Sequence, residues 1–80
     1  MPDLWEVTVP ELGKVDEITL IEWKVDVGDE VDEGTELAEI ETMKSTFSVE
    51  SRTTGTIEEI LVQEGEKVGI DQTLATIREF

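Results

Sequence analysis

Residues Thr19–Ile40 (TLIEWKVDVGDEVDEGTELAEI) return, altered but recognisable, as Thr56–Ile77 (TIEEILVQEGEKVGIDQTLATI). At an offset of 37, Thr19 meets Thr56, Glu22 meets Glu59, Val25 meets Val62 and Gly28 meets Gly65. Val31 meets Val68, Leu37 meets Leu74, Ala38 meets Ala75 and Ile40 meets Ile77. Those eight identities include a turn glycine and the apolar positions that should point inward. Two copies are too few for a solenoid. They suit two equivalent half-structures packed face to face about a pseudo-twofold axis, neither able to bury its apolar face alone.

Working outward, each copy has the period of a strand. Ile21, Trp23 and Val25 alternate with Glu22 and Lys24, which predicts Trp23 largely buried. Ala38 and Ile40 alternate with Glu39 and Glu41, and Phe47 and Val49 with Ser48 and Glu50. Trp5, Val7 and Val9 alternate ahead of Pro10, which ends a strand, and Trp5 should be half covered. Stretches 56–62 and 74–79 complete the set. Gly13, Gly28, Gly34, Gly55, Gly65 and Gly69 mark turns between them. Short strands at even spacing predict an all-β fold, a sandwich or barrel occupying 1–80 as one domain.

Between the copies lies Glu41-Thr42-Met43-Lys44-Ser45-Thr46. A strand ends near Thr42 and another begins near Thr46, so Met43, Lys44 and Ser45 form a tight reversal. Such a hairpin tip is exposed by construction.

Composition removes whole classes of function. The chain has 80 residues, with 6 Lys and Arg against 21 Asp and Glu, a net charge of −15, and neither Cys nor His. Without Cys there is no disulfide framework or thiolate zinc site. Without His the usual general base and the imidazole metal sites are gone. Nucleic acid and anionic membranes fit such a charge badly; basic partner surfaces fit it well. No apolar run is as long as a membrane span. The first residues show no signal peptide, so a cytoplasmic-type compartment is the default; a mature organellar protein would look the same. Met1 and the lack of a Pro/Ala-rich tail favour a free-standing chain.

Catalysis finds little support. Ser45 lacks a histidine base, and adjacent residues on a turn, such as Ser45 and Lys44, rarely orient onto each other as a nucleophile–base pair. Around Gly34 the calcium-loop positions fall on Asp29, Val31, Glu33 and Ile40, two of them apolar. No glycine-rich loop leads into Lys and Ser/Thr at Walker spacing. What remains is Lys44 as an amine to be acylated, held out on a rigid platform.

The sequence resembles a lipoyl domain of the biotinyl/lipoyl attachment family, as in the acyltransferase components of 2-oxo acid dehydrogenase complexes. The resemblance runs from Val7 to Ile77. It rests on Val9-Pro10-Glu11-Leu12-Gly13, on the Ile21–Val31 stretch with Trp23, and on Glu39-Ile40-Glu41-Thr42-Met43-Lys44-Ser45. Gly55-Thr56-Ile57, Val62–Glu66 and Val68–Leu74 continue it. It implies a flattened barrel-sandwich of two four-stranded antiparallel sheets, with lipoate in amide linkage to Lys44. It implies that Glu41, Thr42, Met43 and Ser45 are read by the modifying enzyme or a partner, and that Gly28 and Gly55 shape the platform.

The implied role is a non-catalytic swinging-arm carrier. Its partners would be a lipoate ligase or lipoyltransferase, then 2-oxo acid decarboxylase, acyltransferase and dihydrolipoyl dehydrogenase components, served by a monomeric domain. Met43 departs from the family's usual Asp before the lysine. Met there is the habit of biotinyl domains, so biotin on Lys44, in a carboxyl carrier, is the alternative. An unmodified binding or assembly module is the third reading.

Overall fold

The computed structural model describes residues 4–9, 17–70 and 72–80. The expected strand stop at Pro10 and turn at Gly13 lie outside the described residues. Eight strands follow in order: β1 Leu4–Thr8, β2 Ile18–Trp23, β3 Glu30–Val31, β4 Glu36–Glu41, β5 Thr46–Glu50, β6 Gly55–Ile60, β7 Lys67–Val68 and β8 Thr73–Glu79. They form two four-stranded antiparallel sheets, β1-β8-β6-β3 and β5-β4-β2-β7. The sheets do not close into a barrel, so the fold is the sandwich half of the expected barrel-sandwich.

The repeat holds at the level of individual residue pairs. In β2–β4, Thr19 faces Glu41, Leu20 faces Ile40, Glu22 faces Glu39 and Trp23 faces Ala38. In β6–β8, each residue 37 further on pairs likewise: Thr56 with Arg78, Ile57 with Ile77, Glu59 with Thr76, Ile60 with Ala75. The turns match too. The Gly28 N–H donates to the Ile57 carbonyl at 2.9 Å, and the Gly65 N–H donates to the Leu20 carbonyl at 2.7 Å. Both glycines have φ near the left-handed region, 95° and 90°, where a side chain is strained. These paired bonds cross between the sheets' elements and lock one half onto the other.

β1 and β5 are equivalent as well, at an offset of 42. Trp5 faces Ile77 as Phe47 faces Ile40, and Val7 faces Ala75 as Val49 faces Ala38. The change from 42 to 37 reflects the connections: 9–17 between β1 and β2 is five residues longer than 51–54 between β5 and β6.

The core is aliphatic and thin. Val7, Leu20, Leu37, Ile40, Ile57, Val62, Leu74 and Ile77 are the largest fully buried side chains. Each such burial stabilises by about 1.5–3 kcal/mol. One sequence reading needs correction. Ile21 was expected inward with Trp23 and Val25, but it is 38% exposed and Leu20 is buried in its stead. The register shifts between Leu20 and Glu22. That bulge inserts one residue, so alternation restarts in the opposite phase. Ile18 and Leu20 point in before it, while Trp23 and Val25 point in after it. Trp23 and Val25 are only partly buried, packed against the rim of the core, and so is Trp5.

Candidate functional site

The β4–β5 hairpin places the sequence's candidate residues at one end of a sheet. β4 stops at Glu41, which pairs with Thr46 at the start of β5. Thr42 and Ser45 close the turn through a 2.8 Å bond from the Thr42 N–H to the Ser45 carbonyl. Met43 and Lys44 are therefore the two tip residues. Met43 is 79% exposed, and Lys44, Ser45 and Glu41 are exposed around it.

Thr42 is different. It is 9% exposed, and its hydroxyl is engaged within the turn. The Lys44 and Ser45 N–H groups each donate to the Thr42 Oγ1 at 3.3 Å, and that hydroxyl donates to the Ser45 carbonyl at 3.2 Å. Its place is beneath the tip, so little of it faces a protein approaching from solvent. Sequence reading grouped it with the exposed recognition residues. The signal for its inward role was a hydroxyl residue directly ahead of a two-residue turn without glycine.

The basic residues divide by their partners. Lys24 reaches Glu22 at 3.2 Å and Glu39 at 3.3 Å, Lys67 pairs with Glu17, and Arg78 grips Glu58 at 2.9 Å. The hydrogen bonds that the Lys24 ammonium donates to Glu22 and then Glu39 raise its pKa above the usual lysine value. Among the described residues no carboxylate lies within 4.0 Å of the Lys44 ammonium. It is an exposed primary amine at the hairpin tip, without a carboxylate partner among the described residues.

Gly28 and Gly55 are not brought to this tip. Gly28 belongs to the β2–β3 turn and bonds to β6. Gly55 opens β6, where it faces Val31 and Glu79. A Cβ built there would stand 2.2 Å from the Arg78 carbonyl oxygen, so only glycine lets β6 approach β8. Both shape the sandwich that carries the hairpin, Gly28 through a turn and Gly55 through a close strand contact. Among the described residues no group of three or more Asp or Glu side chains converges as a metal site, although acidic residues are abundant.

Fold and tip together define a class: a two-sheet scaffold of two matching halves that offers a lysine amine at an exposed hairpin tip, in the segment that joins the two copies of the repeat. A family model described as "Biotin-requiring enzyme", covering biotin and lipoyl attachment, matches residues 5–77. The chain belongs to this biotin/lipoyl attachment family, whose members are carrier domains. It is 41% identical over 75 residues to the dihydrolipoyllysine-residue succinyltransferase component of the 2-oxoglutarate dehydrogenase complex of Staphylococcus saprophyticus. That match covers 92% of this chain and spans 18% of the relative's length. The lipoyl domain of the 2-oxoglutarate dehydrogenase complex from Azotobacter vinelandii superposes with a TM-score of 0.77 at 25% identity, covering 92% of this chain and 95% of that domain. A single-chain, multi-domain long-chain acyl-CoA carboxylase contains the same fold, with a TM-score of 0.82 at 19% identity, over 100% of this chain and 7% of that one.

Proposed function

We propose that this chain is a swinging-arm carrier whose Lys44 holds lipoate in amide linkage and serves a 2-oxo acid dehydrogenase-type complex. The observation that carries the reading is the Lys44 amine: exposed, without a carboxylate partner among the described residues, and set at a hairpin tip between two matching halves. The site fits an acyl adduct because, among the described residues, no carboxylate pairs with the amine. The relatives' association with 2-oxo acid dehydrogenase complexes supports lipoate over other acyl groups.

Attachment replaces the lysine ammonium with a neutral amide and makes the surface one unit more negative. When bound, the lipoyl group supplies a dithiolane that accepts and passes on an acyl group. The chain itself supplies presentation. The rigid turn fixes the anchor, the solvent around the tip leaves the arm free, and tethering raises the local concentration of cargo at each partner site. Basic rims on the decarboxylase, acyltransferase and dihydrolipoyl dehydrogenase partners would attract so acidic a surface, less so as salt rises. The compartment that suits these partners is the cytoplasm, or a mitochondrial matrix.

Biotin is the second reading, favoured by Met43, which stands 79% exposed immediately before Lys44 where a biotin ligase would meet it. Intact mass after incubation with lipoate and a lipoate ligase, or with biotin and a biotin ligase, separates the two. A lipoyl adduct lost in Lys44→Ala supports the proposal. Faster biotinylation reverses the ranking of cofactors, and an unmodified mass with both ligases leaves a binding module.

A further inference from the structure

Two-residue hairpin loops favour turn types I′ and II′, which take one or two residues to positive φ and draw on Gly, Asn or Asp. The tip here is Met43-Lys44. Among the described residues, positive φ occurs only at Gly28, Gly34 and Gly65. The tip therefore lacks the backbone geometry that usually stabilises so short a reversal. Its amides turn to a side chain. Lys44 N–H and Ser45 N–H converge on the Thr42 hydroxyl oxygen, while the hydroxyl proton goes to the Ser45 carbonyl.

The exposures reinforce this arrangement. Thr42 is buried, and the two residues after it are open to solvent. One hydroxyl joins the buried end of β4 to the peptide that carries the exposed amine. Because no carboxylate holds the Lys44 side chain among the described residues, what the turn fixes is the Lys44 peptide, and with it the point and Cα–Cβ direction from which the flexible side chain sets out.

We propose that Thr42 is the positioning residue of the tip. Its hydroxyl fixes the Lys44 peptide and so the point and direction from which the side chain is offered to the enzyme that acylates it. This rests on the reading of Lys44 as the acylated residue. Small misplacements of a reacting group cost rate steeply, so a loosened tip should slow attachment while leaving the sandwich folded.

Two substitutions separate positioning from packing. Thr42→Val keeps the buried shape and removes the hydroxyl; Thr42→Ser keeps the hydroxyl and removes the buried methyl. Packing alone orders thermal stability as Thr, then Val, then Ser. Positioning exchanges the two variants in lipoylation rate: Thr42→Ser within about twofold of wild type, Thr42→Val slower by about tenfold. Amide exchange at Lys44 and Ser45, followed by NMR without any ligase, should accelerate in Thr42→Val and not in Thr42→Ser. Equal lipoylation of Thr42→Val and wild type overturns the proposal, as does unchanged exchange at the two amides. A wild-type chain that takes no lipoyl group counts against the function proposed, whereas the exchange measurement judges the hydroxyl's role in the turn independently of it.

Discussion

The indole Nε1–H of Trp23 donates to the Val62 carbonyl at 2.7 Å, joining residues 39 apart in sequence and belonging to opposite halves. The Trp23 backbone N–H also reaches across, to the Glu64 carboxylate at 2.9 Å. Trp23 and Ile60, and Val25 and Val62, are equivalent pairs around one shallow cleft where the two halves meet. Trp23 is thus a clasp between copies, and its value lies in the bond as well as the covered ring.

Two variants resolve those contributions. Trp23→Phe keeps much of the ring and orphans the Val62 carbonyl, which should lower unfolding free energy by about 1 kcal/mol. Trp23→Ala removes the ring too and should cost about 3 kcal/mol, the low end for a large aromatic because the site is only partly buried. Urea unfolding measures both. Equal losses for the two would mean that the indole's packing contributes nothing beyond its bond.

The glycines make a second prediction, because Gly55 and Gly28 are constrained for different reasons. Gly55→Ala forces a methyl against the Arg78 carbonyl, a backbone atom in a central strand pair that cannot step aside. The expected loss is about 2–4 kcal/mol. At Gly28 there is open space around the position, and only the φ of 95° opposes a side chain. Gly28→Ala should cost about 1–2 kcal/mol. Lipoylation of folded Gly28→Ala should match wild type, since Gly28 bonds to β6 and not to the hairpin. Denaturation midpoints and ligase assays on the same samples check the order.

How much of this was legible in the sequence depends on the kind of interaction. The repeat was visible because its identities fall on core residues such as Leu37 and Leu74, where burial restricts the choice. The tip was visible because strand alternation stops on both sides of it. β3 and β7 were not, since two residues cannot display a period. The bulge at Ile21 was hidden because an apolar residue fills the exposed phase, leaving the pattern seemingly unbroken. Gly55 read as another turn glycine, although it is needed by a strand 23 residues further on, through the Arg78 carbonyl. Thr42 resembles its exposed neighbours in type, and only three hydrogen bonds separate its task from theirs.

Acid titration offers a third check. Arg78 donates two hydrogen bonds to one Glu58 oxygen and a third to the other, and these bonds hold the carboxyl below the usual glutamate value. A depressed folded-state pKa means the pair stabilises above the unfolded-state value, and that the contribution disappears as pH falls through the lowered folded value. Carboxyl-carbon NMR should show Glu58 titrating below an ordinary glutamate. Arg78→Gln should return it upward. A Glu58 midpoint indifferent to that substitution would remove the pair from any account of acid sensitivity.

Salt provides the last prediction, with a sign opposite to that of a protein held by surface ion pairs. Net charge is −15 on a fold only 37 × 20 × 20 Å, so carboxylates repel one another throughout. Some repulsion is built into the register. Glu36 faces Glu50 directly across β4 and β5, and Glu22 faces Glu39 across β2 and β4. Like charges opposed across strands destabilise a sheet. Lys24 sits between Glu22 and Glu39 and neutralises part of the second clash. Screening shortens the range of repulsion to about 3 Å at 1 M salt from about 10 Å at 0.1 M. Thermal stability should therefore rise across that range. Lys24→Gln should lower the melting temperature at low salt, and the gap to wild type should narrow as salt is added. A melting temperature that falls with sodium chloride would mean that the few ion pairs outweigh the unpaired carboxylates. A gap that stays constant would place the role of Lys24 in packing its aliphatic stem rather than in separating the two glutamates.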